Sequence, residues 1–243
     1  MPSSQLHQIS SIVEVIWSAN PSSLLDVGAG FGKYGVLARE YLELHESSWR
    51  KPNWKCRIDG IEAFKEYLSG LHDFVYNHIY VGDAREIIPS LKEHYDLILL
   101  IDVLEHFEFA EGVSLLKSCL EAGDNILVST PLDWIAQSDL FGNSFEIHKS
   151  YWKKRDFRQF GQHFFVPDSL SLICFMGKES GRLRGEMAGI KRKIKTWFPF
   201  TAYAYRWARR TLNSFDNNRR FPDNSQGRKF RLSFKKGPPP KQG

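Results

Sequence analysis

The chain has 243 residues, 42% of them hydrophobic, enough for one full α/β domain with an appendage. No apolar run approaches the roughly 20 residues of a spanning helix, the start lacks the order of a secretory signal, and Cys56, Cys119 and Cys174 have no metal-ligand spacing, which points to a cytoplasmic protein with reduced thiols and no metal cluster. The net charge of +5 is uneven: residues 179–243 carry 17 Lys or Arg against 4 Asp or Glu, a balance of +13, which leaves −8 for residues 1–178.

Leu6, Ile9, Ile12, Val13, Ile16 and Trp17 recur with a helical period, and Asn20-Pro21 ends the segment. A strand follows at about 23–27 and runs into Leu24-Leu25-Asp26-Val27-Gly28-Ala29-Gly30-Phe31-Gly32-Lys33-Tyr34-Gly35. An apolar run ending in a carboxylate, then glycines at alternate positions, reads as a buried strand that turns and lets a ligand touch bare backbone before a helix begins. A dinucleotide fingerprint, G-x-G-x-x-G, needs its third glycine where Lys33 stands. A P-loop needs glycine and a hydroxyl residue where Val27 and Tyr34 stand. The stretch resembles instead motif I of the class I S-adenosylmethionine-dependent methyltransferases, acidic-x-Gly-x-Gly-x-Gly. The resemblance implies that Asp26 orients the methionine end of the cofactor and that Gly28, Gly30 and Gly32 lie flat beneath it; Tyr34 is assigned to the acceptor. A glycine-rich turn with no ligand is the alternative.

Lys33 to His45 reads as the helix facing the ligand, and Ser47 to Lys55 as a polar loop. Cys56 to Ile61 is a second strand tipped by Glu62, whose carboxylate is placed to accept from both ribose hydroxyls; a cap on the next helix is the other reading. Asp59 falls on the opposite face of that strand. His78 to Val81 is a third strand, followed by Gly82-Asp83-Ala84. The resemblance implies that Asp83 accepts from the adenine amine and that the Ala84 N–H meets the ring, with an N-cap at Asp83 for a helix over 85–92, shortened by Pro89, as the alternative. Tyr95 to Ile101 is the most apolar run, suited to a central strand. It ends in Asp102-Val103-Leu104-Glu105-His106, similar to motif IV of the same superfamily, which turns Asp102 and His106 toward the reaction chamber. A helix over 109–120 and a strand over Asn125 to Thr130 follow.

Pro131 to Trp152 is too polar and irregular for a core element and reads as the loop that selects the acceptor, a solvated loop being the alternative. Its Gly142-Asn143, Glu146-Ile147-His148 and Ser150-Tyr151-Trp152 resemble a pattern in a group of bacterial class I methyltransferases, many of which act in surface-polysaccharide and glycan assembly. Gln137, Asn143, Glu146 and Trp152 are therefore assigned to the acceptor, with His148 as general base and His106 as second choice. A helix at 153–160 and strands at Gln162 to Val166 and Ser171 to Phe175 close the domain. The superfamily implies a Rossmann-like α/β sheet of seven strands, order 3-2-1-4-5-7-6 with the last strand antiparallel, over residues 1–178.

Residues 179–212 read as a basic, aromatic helical extension and 213–243 as a disordered basic tail. Lys and Arg interleaved with Trp, Phe and Tyr over 190–212 suit an anionic membrane surface, single-stranded nucleic acid, or packing on the chain's own domain. The expected function is methyl transfer from S-adenosylmethionine to a hydroxyl of a sugar or other small molecule, with no metal. An RNA methyltransferase using the tail and an inactive cofactor-binding scaffold are the rivals.

Overall fold

The computed structural model describes residues 5–44, 50–139 and 141–197. Seven strands, β1 Ser23–Val27, β2 Arg57–Glu62, β3 His78–Val81, β4 Leu97–Ile101, β5 Asn125–Pro131, β6 His163–Val166 and β7 Ser171–Gly177, form one sheet. Their order, β3-β2-β1-β4-β5-β7-β6, is the one the resemblance implied. β7 runs antiparallel to both β5 and β6, and the other pairings are parallel. Every residue of β4 is buried, which is why this strand reads as an unbroken apolar run: both its faces are covered.

The helices are α1 Leu6–Ala19, α2 Lys33–Leu42, α3 Gly70–Val75, α4 Ala84–Ile87, α5 Phe109–Ala122 and α6 Ser180–Trp197. α1 is rotated from the face that periodicity picks out. Gln8, Ile12, Val13, Val15 and Ile16 are buried, whereas Leu6 and Trp17 are exposed. α4 is a single turn that tightens into a 3₁₀ turn, Ile88–Ser90, since Pro89 has no N–H to continue an α-helix. The expected helix at 153–160 is also 3₁₀, over Lys154–Phe160. β4 begins at Leu97, two residues later than expected; Tyr95 instead makes an isolated bridge to Gly123, and its hydroxyl donates to Asp59 at 2.7 Å.

Trp152 is a core residue, 1% exposed, and not part of an acceptor site. Its ring lies 4.7 Å from Phe109 and 5.5 Å from Phe157, beneath α5. Gly112 makes room for it, because a Cβ there would stand 2.6 Å from the indole. All three cysteines are buried and unbridged. Residues as far as Leu183 belong to one compact unit, and from Arg184 α6 belongs to a second. Most of the basic aromatic extension and the whole of the expected disordered tail, from residue 198 on, lie outside the described residues. No described helix is long and apolar enough to cross a membrane.

Candidate functional site

A cleft of about 660 Å³ opens over the carboxyl ends of β1, β2 and β4, where open α/β sheets take their ligands. Gly28, Glu62, Asp83, Ala84 and Asp102 line one part; His106, Gln137, Asn143, Glu146 and His148 line another.

Gly28 has φ +73°, and a Cβ there would meet Val103 at 2.7 Å, so the turn out of β1 requires glycine. Glu62 is 6% exposed and reaches back to the glycine loop: Oε2 accepts the Gly30 N–H at 2.7 Å, while Oε1 accepts the Phe64 N–H at 2.8 Å. Burial raises its pKa, and the two backbone donors pull it back. The bond to Phe64 reaches only the residue before the turn Lys65–Tyr67, which has no side-chain cap, and the carboxylate stays on the cleft wall. Asp83 is the N-cap of α4, accepting the Arg85 N–H at 2.8 Å and pairing with the Arg85 guanidinium at 2.6 Å, which lowers its pKa.

Asp102 follows β4 with φ +55°, a left-handed backbone unusual outside glycine. Two elements hold it there. Gln8 of α1 donates from Nε2 to Oδ2 at 2.6 Å, and Ser129 of β5 lies 3.1 Å from Oδ1 and donates to the Gln8 side-chain Oε1.

The part of the cleft around His148 is built on a loop tied to the turn Leu104–His106. Lys149 N–H and Ser150 N–H donate to the Glu105 carbonyl at 2.7 and 3.1 Å, and Ser150 Oγ donates to the Leu104 carbonyl at 3.2 Å. These bonds bring the imidazoles of His106 and His148 to 4.9 Å between ring centres. Nδ1 of His148 donates to the Ile135 carbonyl at 2.7 Å, and Nδ1 of His106 to the Ile147 carbonyl at 3.3 Å. Burial pushes both pKa values down to about 4, so both rings are neutral near pH 7. Glu146 accepts from the Tyr67 hydroxyl at 3.1 Å, Gln137 Nε2 donates to the Glu146 carbonyl at 2.7 Å, and Asn143 caps the turn Ser144–Glu146.

Four assigned residues sit elsewhere than expected. Asp26 does not line the cleft. It is 2% exposed, and its Oδ2 accepts from the Tyr76 hydroxyl at 2.6 Å. Burial raises its pKa to about 6, with the Tyr76 hydrogen bond opposing and the Glu62 charge adding. Gly30 and Gly32 are also off the lining; the open side of Gly32 faces His72 and Tyr76, and His72 Nε2 donates to the Gly30 carbonyl at 2.9 Å. Tyr34 is buried in α2, away from the cleft, because the helix turns that face toward the core. Conversely, the sequence reading passed over Gln8, Ser129 and Tyr67, and over Glu105, a buried carboxyl on the cleft wall.

Residues 4–177 match the family described as "Methyltransferase domain". No curated protein matches the chain. Among solved structures, the N-terminal domain of EvdMO1, in the presence of SAH and D-fucose, is 15% identical with a TM-score of 0.52, over 72% of this chain and 84% of that one. The methyltransferase domain of bacterial CtHen1-CN is 16% identical with a TM-score of 0.48, over 71% and 98%. Magnesium protoporphyrin IX methyltransferase from Synechocystis PCC 6803, with bound SAH, is 16% identical with a TM-score of 0.47, over 69% and 80%. At such identity the likeness to the EvdMO1 domain establishes the fold.

Proposed function

The chain belongs to the methyltransferase-domain family, and from that premise we propose that it moves a methyl group from S-adenosylmethionine to a hydroxyl oxygen of a sugar or other glycan unit. One observation carries the choice of cofactor: the Gly30 N–H is given to the Glu62 carboxylate. In a dinucleotide site the loop amides are turned to a pyrophosphate. Here a carboxylate occupies one of them, and the cleft is lined by six carboxyl side chains, Glu62, Asp83, Asp102, Glu105, Asp133 and Glu146, against the cations Arg85 and Lys149. That lining disfavours phosphates and fits a nucleoside whose other end is cationic. The EvdMO1 domain was crystallised in the presence of SAH, the demethylated form of this donor, and of a sugar.

We assign Glu62 to the ribose hydroxyls, Asp83 and Ala84 to the adenine, and Gly28 and Asp102 to the methionine end. The bound cofactor supplies a methyl carbon on a sulfonium, already a good leaving group. The chain supplies alignment in a sheltered cleft, an effect worth about 7 to 11 kcal/mol. It also removes the acceptor's proton, typically about 100- to 10,000-fold in rate. His148, whose Nδ1–H is committed to Ile135, offers Nε2 as the base, with His106 beside it. Gln137, Asn143 and Glu146 position the acceptor.

Calorimetric titration tests this reading. S-Adenosylmethionine is expected to bind and NAD not, with Glu62→Ala weakening the first by about tenfold or more, the loss of a charged hydrogen-bond acceptor. Binding of NAD, or of neither ligand, would refute it. His148→Ala should then lower methyl transfer to sugar acceptors by at least about 100-fold while cofactor affinity holds.

A further inference from the structure

Glu105 presents a problem that methyl transfer alone does not explain. It is 3% exposed, it lines the cleft, and its Oε2 has no hydrogen-bond partner among the described residues. The carboxyl groups of Asp102 and Glu146 share the cleft wall with it. A buried carboxylate is normally paired, hydrogen-bonded or bound to a metal.

The neighbours of Glu105 supply the missing half. One ligand atom from each of Glu105, His106 and His148 lies within 4.8 Å of the other two. Each imidazole gives its Nδ1–H to a backbone carbonyl, of Ile147 or Ile135, which leaves Nε2 with the lone pair. A backbone carbonyl on the far nitrogen is the usual second partner of a metal-bound histidine. The geometry is also held: the loop bearing His148 is bonded through Lys149 and Ser150 to the turn bearing Glu105 and His106. We propose that Glu105, His106 and His148 bind a divalent transition-metal ion, with positions left open toward the cleft. Two imidazoles and one carboxylate favour Mn²⁺, Fe²⁺, Co²⁺ or Zn²⁺ over Mg²⁺, which prefers an all-oxygen shell. The site departs from the metal-free reading of the sequence, which looked for cysteine and spaced histidine and not for a turn and a loop meeting.

The role of the ion rests on the methyl-transfer reading, whereas its binding does not. An acceptor hydroxyl on an open position loses its proton to water at lower pH, as metal-bound water does. The resulting oxygen forms a bond to the methyl carbon, the carbon–sulfur bond breaks, and its electron pair stays on the sulfur. His148 then acts as ligand in the ion-loaded enzyme and as base in the ion-free one.

The test titrates Co²⁺ into the chelator-treated full chain, carrying no polyhistidine tag, and follows the visible d–d bands. One equivalent should bind and Zn²⁺ should displace it. Glu105→Gln and His148→Gln should each weaken binding by more than the about 10- to 100-fold that loss of an outer-shell partner costs. Should either variant lose its far-ultraviolet dichroism, the wild-type titration and the other variant decide. Absence of d–d bands, or unchanged affinity in folded His148→Gln, overturns the site. S-Adenosylmethionine is titrated in parallel. Binding of cofactor without Co²⁺ overturns the metal site and spares the methyl-transfer reading; Co²⁺ without cofactor upholds the site and removes the role given to it.

Discussion

Asp26 is the residue on which sequence and structure diverge most instructively. The motif gives it a cofactor role, but a strand residue points to one face only, and this one meets the Tyr76 hydroxyl at 2.6 Å. Its pKa is raised from 3.8 to about 6, chiefly by burial. The folded state therefore binds more protons than the unfolded one between those values, so this group's contribution falls as pH rises from about 4 to 6 and is level above that. Asp26→Asn should gain on wild type by about 2 to 3 kcal/mol between pH 4 and pH 7, read from urea unfolding at each pH. A constant difference would mean that Asp26 is not held protonated. That Glu62, Asp83 and the two histidines line one cleft was legible because each follows a strand or stands in a motif. Gln8 was not, since a polar residue inside an amphipathic helix gives no sign that its partner lies 94 residues away. Trp152 misled for the opposite reason: a ring in a polar loop looks available until Gly112 is seen to admit it to the core.

Among the elements, the strands of the parallel sheet were readable because burial on both faces leaves continuous apolar runs, and their ends locate the cleft. The short 3₁₀ turns were not, as nothing in a run of three or four residues separates them from an α-turn. The glycine loop lies between these cases. Its spacing announces a ligand, yet Gly28 serves the β1 turn, Gly32 takes a left-handed backbone at the start of α2, and Gly35 makes room for Tyr76. Gly28→Ala places a methyl group in a left-handed backbone and against Val103, a strain of about 1 to 3 kcal/mol. Cofactor affinity should fall by about 10- to 100-fold in calorimetry, with the fold retained by circular dichroism. Unchanged affinity would separate the loop from the cofactor.

For the whole molecule, the division between an acidic body and a tail of +13 is a second message that the fold does not absorb. We propose an anionic membrane surface as the partner of residues 190–212, since each Lys or Arg near such a surface contributes about 1 kcal/mol. Replacing Lys191, Arg192, Lys193 and Lys195 with alanine should cut co-sedimentation with phosphatidylserine vesicles by at least about tenfold, and salt should do the same. Salt-sensitive retention on RNA in place of vesicles would transfer the tail to nucleic acid. The grip of Gln8 on Asp102 and Ser129 also sets a schedule for synthesis. Ser129 is made 121 residues after Gln8, about 6 to 24 s at ordinary elongation rates. Asp102 follows Gln8 by 94 residues and arrives before β5, so the hydrogen-bond set of Gln8, Asp102 and Ser129 is complete only once β5 has been made.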